Sequence, residues 1–288
     1  VLLAFERAEM SEDPAEIERL LTLVVVGGGP TGVEMAGSLA ELARRVLKRD
    51  FRRIDPSKAH IHLIEAGPRL LPMMPGDLPD YTAEQLGRLG VTVHLNCPVR
   101  EITPERVEAG PLTLRPGLVV WAAGVEASPV TRTLGGAIPL DRAGRIEVRA
   151  DLSLAGHPEV FAAGDIVSLV DRNGVKVPGV APAASQMGRH IAKLIDQDAK
   201  FQAAAKRFDT EIPRPAFAYW DKGSMATIGR SKAVAAAGPF RFTGLLAWLM
   251  WLFIHLLFLV GMRNRVSVFL QWVWAYVTWE RGARIITR

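Results

Sequence analysis

Continuous apolar runs that end in glycine or an acid alternate, in the first half of this chain, with stretches whose apolar positions recur every three or four residues. Leu21-Thr22-Leu23-Val24-Val25-Val26 is apolar almost throughout and β-branched, the pattern of a parallel strand buried on both faces. From Thr31 to about Phe51 the residues Met35, Leu39, Leu42, Val46 and Leu47 fall at helical spacing. His60 to Glu65 reads as the next strand, Asp80 to Gly90 as a helix and Val91 to Leu95 as a strand. Val99 to Val107 and Leu112 to Leu114 read as short hairpin pieces, and Leu118 to Gly124 as another buried strand closing on glycine. The order is βαβαβ with small additions, which predicts an α/β, Rossmann-like unit over roughly residues 21–125. Ahead of it, Leu2 to Leu20 reads as helix, with Pro14 opening a second segment after a Ser11 cap.

The second half is patterned differently. Arg145 to Arg149 predicts a strand, and Glu159 to Asp165 a short apolar strand that closes on Gly-Asp. Pro178 to Pro182 reads as a rigid loop, Ala183 to about Ala205 as a long alanine-rich helix, and Ala216 to Ile228 as a hairpin around Asp221-Lys222-Gly223. Gly244 to Gly261 then carries a single polar side chain, His255. A second apolar stretch runs from Val266 to Trp279, and Arg263-Asn264-Arg265 separates the two.

Charge follows the same division. The 288 residues carry a net +5, yet from Lys206 onward 12 Lys/Arg stand against 4 Asp/Glu, so the preceding part is slightly acidic. The basic region coincides with the apolar runs and with Trp248, Trp251, Trp272 and Trp274. That combination favours an anionic lipid surface as the partner over nucleic acid, with a solvated basic face as the plainer alternative. Cys97 is the sole cysteine, so neither a disulfide framework nor a cysteine metal site is predicted, and no metal ligand set is read.

Gly27-Gly28-Gly29-Pro30-Thr31-Gly32 has the G-x-G-x-x-G spacing, placed after a strand and before a helix as that motif requires. Gly27 suits the tight turn, Gly29 lets the backbone approach a pyrophosphate, and Gly32 permits close helix packing. The amides at the helix start suit phosphate oxygens. A merely tight βα turn is the plainer alternative. Glu65, ending the second strand, suits a ribose 2′-hydroxyl and repels a 2′-phosphate, which favours NADH over NADPH. Its distance from Gly32 exceeds the usual spacing, and residues 50–59 read as the insertion responsible. A surface carboxylate is the alternative. Glu34 lies in the first helical turn, where it either complements the helix dipole or faces the nicotinamide.

At Phe161-Ala162-Ala163-Gly164-Asp165 the chain resembles the type II NADH:quinone oxidoreductases, within the flavoproteins that carry two dinucleotide-binding domains. Ala162-Ala163-Gly164-Asp165 and Trp121-Ala122-Ala123-Gly124-Val125 match motifs of that group. The resemblance implies that Gly164 and Asp165 lie on the flavin, with Asp165 holding the ribityl chain of FAD, and that Ala123 and Gly124 border the cofactors. Val180-Ala181-Pro182-Ala183-Ala184-Ser185-Gln186 is similar to the family's Ala-Gln-x-Ala-x-Gln helix start, with Pro182 in place of the first Gln. This implies flavin and quinone contacts for Ala184 and Gln186. Asp221 to Arg230 resembles the family's C-terminal segment and implies that Lys222 stands near a quinone. The match continues from His255 through Arg265 to Arg281-Gly282-Ala283-Arg284.

The family arrangement implies a linking helical segment at 1–20, an NADH-binding domain at 21–125, the C-terminal part of the FAD-binding domain at 126–205, and a hairpin with membrane-associated helices at 206–288. It implies hydride transfer from NADH to FAD, then two electrons to a membrane quinone without proton pumping. Pro30 and Thr31 join the glycines as NADH contacts, and Glu34, Gln186 and Lys222 are the catalytic candidates. An FAD-type glycine fingerprint should precede Val24, and none does. The chain is therefore expected to begin inside a longer protein and, alone, to lack bound flavin. The C-terminal helices are expected to be amphipathic and to lie in the plane of the membrane; a span and a buried packing helix are the alternatives. The family further implies peripheral, monotopic attachment, expected at the cytoplasmic face of the bacterial inner membrane. A homodimer is expected, with part of the apolar surface as the alternative place for its contact. A soluble NADH-dependent flavoprotein reductase of another acceptor, and a non-catalytic NADH-binding fragment, are the rival functions.

Overall fold

A computed structural model describes residues 1–136, 138–205 and 213–278. The chain divides into two compact units, one holding Val1–Gly124 and the stretch from Lys222 onward, the other Val125–Asp221.

In the first unit, helices α1 (Leu2–Met10) and α2 (Pro14–Leu20) lead into strand β1 (Thr22–Val26). Asp13, not Ser11, caps α2, its carboxylate accepting from the Ala15 amide at 3.0 Å. Aspartate one residue before Pro14 is the better-placed cap, and the Ser11 hydroxyl accepts from the Asp13 amide instead. Then come α3 (Pro30–Glu41), β2 (His60–Ile64), α4 (Leu78–Arg88) and β3 (Val91–His94). The helical pattern beyond Glu41 continues as a π-helical turn, Leu42–Val46, and a 3-10 turn, Leu47–Arg49. The inserted residues that follow are tied back to α1, because the Glu9 carboxylate accepts from the amides of Arg52, Arg53 and Ile54.

Strands β4 (Val99–Ile102), β5 (Val107–Ala109) and β6 (Leu112–Leu114) form an antiparallel meander before β7 (Leu118–Trp121). The parallel sheet has the order β3-β2-β1-β7. Val26 pairs in register with Ile64 on one side and Trp121 on the other, so three strand ends lie level. Leu23, Val25, Ile61 and Leu63 face α1, α3 and α4, and each is fully buried. Burial of this kind contributes roughly 1.5–3 kcal/mol per side chain. Val24, Val26 and Ile64 point the other way and pack on Cys97, Val107 and Ala109 under the meander.

The second unit is built of short pieces: β8 (Ile146–Glu147), β9 (Ser153–Leu154), β10 (His157–Phe161) and β11 (Val167–Ser168), followed by α5 (Ala181–Ala205). The strand expected at Arg145–Arg149 shrinks to two residues paired with β11. The loop expected through Pro182 ends earlier, since Pro182 sits in the first turn of α5, where its missing N–H costs nothing.

The first unit resumes with an antiparallel sheet, β12 (Ser224–Gly229), β13 (Lys232–Ala237) and β14 (Phe240–Thr243). The hairpin expected around Asp221-Lys222-Gly223 is displaced to Arg230-Ser231, where Ser231 has φ of +61°. Residues 213–223 carry no regular structure.

Helices α6 (Gly244–Phe258) and α7 (Met262–Thr278) close the described chain; Trp279, Glu280, Arg281, Gly282, Ala283, Arg284 and Arg288 lie outside the described residues. Helix α6 is apolar on nearly every side. It buries Ala247 against β13 and exposes Leu245, Leu246, Leu249, Phe253 and Phe258. Among the described residues, no helix is long and apolar enough to cross a membrane.

Candidate functional site

The strand β1, its glycine turn and helix α3 build the site from the backbone outward. Gly27 takes φ of +109°, and a Cβ there would stand 2.6 Å from the Ala122 carbonyl oxygen. A Cβ on Gly32 would stand 1.7 Å from the Gly27 carbonyl oxygen, so the first turn of α3 closes directly over the loop. Gly29 differs: its φ is −72°, and a Cβ there would meet nothing within 4 Å. The protein's own packing does not require glycine at this position, and the open space lies over the loop. Among the described residues the first-turn amides of Thr31 and Gly32 take no protein partner, and the α3 axis directs its positive end at that space.

A cavity of about 500 Å³ lies at this edge, lined by Gly27 to Thr31, Glu65, Cys97, Trp121, Ala123 and Gly124. Glu65 stands one residue beyond β2. Its Oε2 accepts from the Gly28 amide at 2.5 Å and its Oε1 from the Gly67 amide at 2.6 Å, so it also clamps the turn. Each carboxylate oxygen keeps a second lone pair for a ligand hydroxyl. A pyrophosphate over Gly29 with a ribose at Glu65 fits these groups.

Glu34 does not line this cavity. Its Oε1 accepts from the Thr227 amide on the edge of β12 at 3.0 Å, and Glu41, two turns on, accepts from the Arg230 amide at 2.6 Å. Glu34 also lies on a larger apolar cavity of about 750 Å³, with Trp248, Trp251, Phe269 and Trp272 among its walls. Lys222 is exposed, with its ammonium 6.0 Å from the Phe258 ring centroid.

On β2 and β3, His62 Nδ1 and His94 Nε2 lie 3.0 Å apart. Burial, then the neighbouring rings of His94 and His60, push the His62 imidazole down to about 4, and burial also lowers His94.

In the second unit, Gly164 has φ of +83°, and its amide donates to Met187 Sδ at 3.4 Å, setting the Gly164–Ile166 turn against α5 beside Ala184. The Asp165 carboxylate is exposed and, among the described residues, accepts no protein hydrogen bond. An exposed acceptor beside a helix start fits the hydroxyls of a polyol chain. Gln186 is held by the chain itself: its Nε2 donates to the Trp220 carbonyl and its Oε1 accepts from the Trp220 amide, both at 3.0 Å.

Thus the glycine-turn residues, Glu65, Ala123 and Gly124 come together in one unit, and Gly164, Asp165 and Ala184 in the other. Trp121, at the level end of β7, stands 59% exposed on the first cavity.

These features define a dinucleotide-binding α/β protein with a second, Gly-Asp-bearing unit. Two family models match the chain: pyridine nucleotide-disulphide oxidoreductase over residues 4–188, and the NDH2 C-terminal domain over residues 221–278. The chain is 41% identical over its whole length to the type II NADH:quinone oxidoreductase Ndh of Mycobacterium tuberculosis, and 41% identical to NdhA of the same organism. It spans 61% and 60% of those proteins. The fold is similar to that of NDH2 from Plasmodium falciparum in its complex with NADH, with a TM-score of 0.85 at 18% identity, over 98% of this chain and 71% of that one. The chain belongs to the type II NADH:quinone oxidoreductase family.

Proposed function

We propose that, within its complete protein, this chain carries the NADH site and part of the flavin site of an enzyme that passes electrons from NADH to a membrane quinone. The observation that carries the NADH reading is the open space over Gly29, flanked by the unpartnered amides of Thr31 and Gly32 and by the Glu65 carboxylate. Gly27 and Gly32 fix the turn, Pro30 starts α3, and the helix start holds the pyrophosphate. Glu65 receives the adenosine ribose and repels a 2′-phosphate. Ala123 and Gly124 leave room at the end of β7.

When bound, FAD supplies the hydride acceptor and the two-electron relay to quinone. Asp165 accepts from its ribityl hydroxyls, with Gly164 and Ala184 close behind. The start of α5 would favour negative charge on a flavin bound beside it. Gln186 and Lys222 serve the quinone side, Lys222 by holding positive charge near the oxygen that gains it. Quinone takes two electrons and two protons to become quinol. Glu34 braces α3 against β12 near the apolar cavity.

The domain boundaries follow the family: a link at 1–20, the NADH domain at 21–125, the returning part of the FAD domain at 126–205 and a membrane-associated region at 206–288. The exposed apolar side chains of α6 and α7 support an in-plane, peripheral seat on an anionic lipid surface. A homodimer at the cytoplasmic face of the bacterial inner membrane completes the proposal.

Membranes carrying the complete protein test it. NADH oxidation should require added quinone and proceed without generating a proton gradient. Flavin that is reduced by NADH but not reoxidised by any quinone would sink the quinone half of the reading.

A further inference from the structure

The end of β7 presents an exposed aromatic group, Trp121, at the cavity over the glycine turn. Trp121 pairs in register with Val26, and Val26 with Ile64, so its side chain leaves the sheet on the meander side at the level of the glycine turn. It forms part of the cavity wall with Gly27 to Thr31 and with Cys97 to Val99. Tryptophan carries a large apolar area that proteins usually cover, so 59% exposure on the wall of a cavity marks a surface built to be covered.

The sheet order says by what. In β3-β2-β1-β7 the glycine turn is central, Glu65 ends the strand on one side, and Trp121 ends the strand on the other. The two flanks are two strand spacings apart, roughly 10 Å. A dinucleotide with its pyrophosphate on the turn and its adenosine ribose at Glu65 must send its second nucleoside across β7. The next residues leave that path open, since a Cβ on Gly124 would meet nothing within 4 Å.

We propose that the Trp121 indole packs against the nicotinamide–ribose half of NADH and fixes the plane of the reacting ring. The assignment rests on the NADH reading given above. It makes Trp121 a cofactor-contacting residue whose loss weakens NADH binding while the flavin stays in place.

Anaerobic mixing of the complete flavoprotein with NADH separates the dissociation constant from the limiting rate of flavin reduction. Trp121→Ala is expected to raise Kd for NADH about tenfold and Trp121→Phe about twofold, with flavin content at the parent level in both. An unchanged Kd in Trp121→Ala overturns the proposal. So does flavin loss with a parental Kd in the loaded fraction, which would make Trp121 a contact between parts of the protein. If NADH fails to reduce the flavin of the parent protein, the NADH reading itself falls, and the proposal with it.

Discussion

Two turns in this molecule begin alike, with a glycine just past a strand end, yet they are finished to different degrees, the first opening α3 and the second making one 3-10 turn before β11. The Gly27–Gly32 turn is closed from within: Gly32 lies against the Gly27 carbonyl, Glu65 clamps the Gly28 amide, and the cavity walls all belong to one unit. The Gly164–Ile166 turn rests on α5 through Met187 and leaves the Asp165 carboxylate exposed and, among the described residues, without a protein partner. The first region spends its polar groups on its own conformation and reserves a space; the second reserves the polar group itself. Substitutions in the first should therefore disturb folding and binding together unless they touch only the reserved space. Substitutions at Asp165 should leave folding alone.

The largest effect is expected at Gly32. A methyl there must displace the Gly27 carbonyl, so Gly32→Ala should lower stability by about 3 kcal/mol in urea unfolding and abolish NADH binding in calorimetry. Parental stability in this variant would show that the turn is looser than its contacts indicate.

The pH dependence of the sheet beneath the first turn should be nearly as large. His62 is depressed to about 4 from an ordinary value near 6.5, so the unfolded chain binds more protons between those limits. Stability is then fully present above about pH 6.5 and declines as pH falls to about 4, by about 2 kcal/mol. His62→Leu should flatten that slope, and an equal slope in parent and variant would remove the histidine pair as its cause.

The contrast between the regions is tested most directly by a matched pair. Asp165→Ala should lower flavin affinity roughly 10- to 100-fold while the unfolding midpoint stays put, because no protein bond is lost. Gly29→Ala should likewise keep its stability, since the added carbon meets nothing, while Kd for NADH rises roughly 30-fold by collision with the pyrophosphate. A fall in stability for either variant would erase the distinction between a reserved space and a reserved group.

The parallel sheet was legible because its strands are continuous apolar runs and its turn needs glycines at fixed spacing. The reading of Asp165 and Gly164 as flavin contacts rests on resemblance alone, because a lone Gly-Asp has many uses in a turn. What the sequence did not disclose depends on long-range pairing. Glu34 accepts from Thr227, 193 positions away, and nothing local distinguishes that from a helix-dipole role. Gln186 pairs with the Trp220 backbone for the same kind of reason. The hairpin moved from Lys222 to Arg230-Ser231 because strand register, set by the alternation Ala226, Ile228 against Val234, outweighed the turn chemistry of Asp-Lys-Gly.

Glu65 belongs to both sides of the comparison, since it holds the turn and also faces the reserved space. Glu65→Gln separates the two roles. The amide oxygen can still accept from one of Gly28 and Gly67, but its NH₂ cannot accept from the other, so the turn loosens modestly. The lost charge no longer repels a 2′-phosphate. The ratio of NADPH to NADH efficiency should therefore rise about tenfold, through better use of NADPH together with a small rise in Kd for NADH. If the ratio is unchanged and both nucleotides weaken equally, Glu65 acts only as the clamp, and the selection of NADH must come from a different group on the cavity wall.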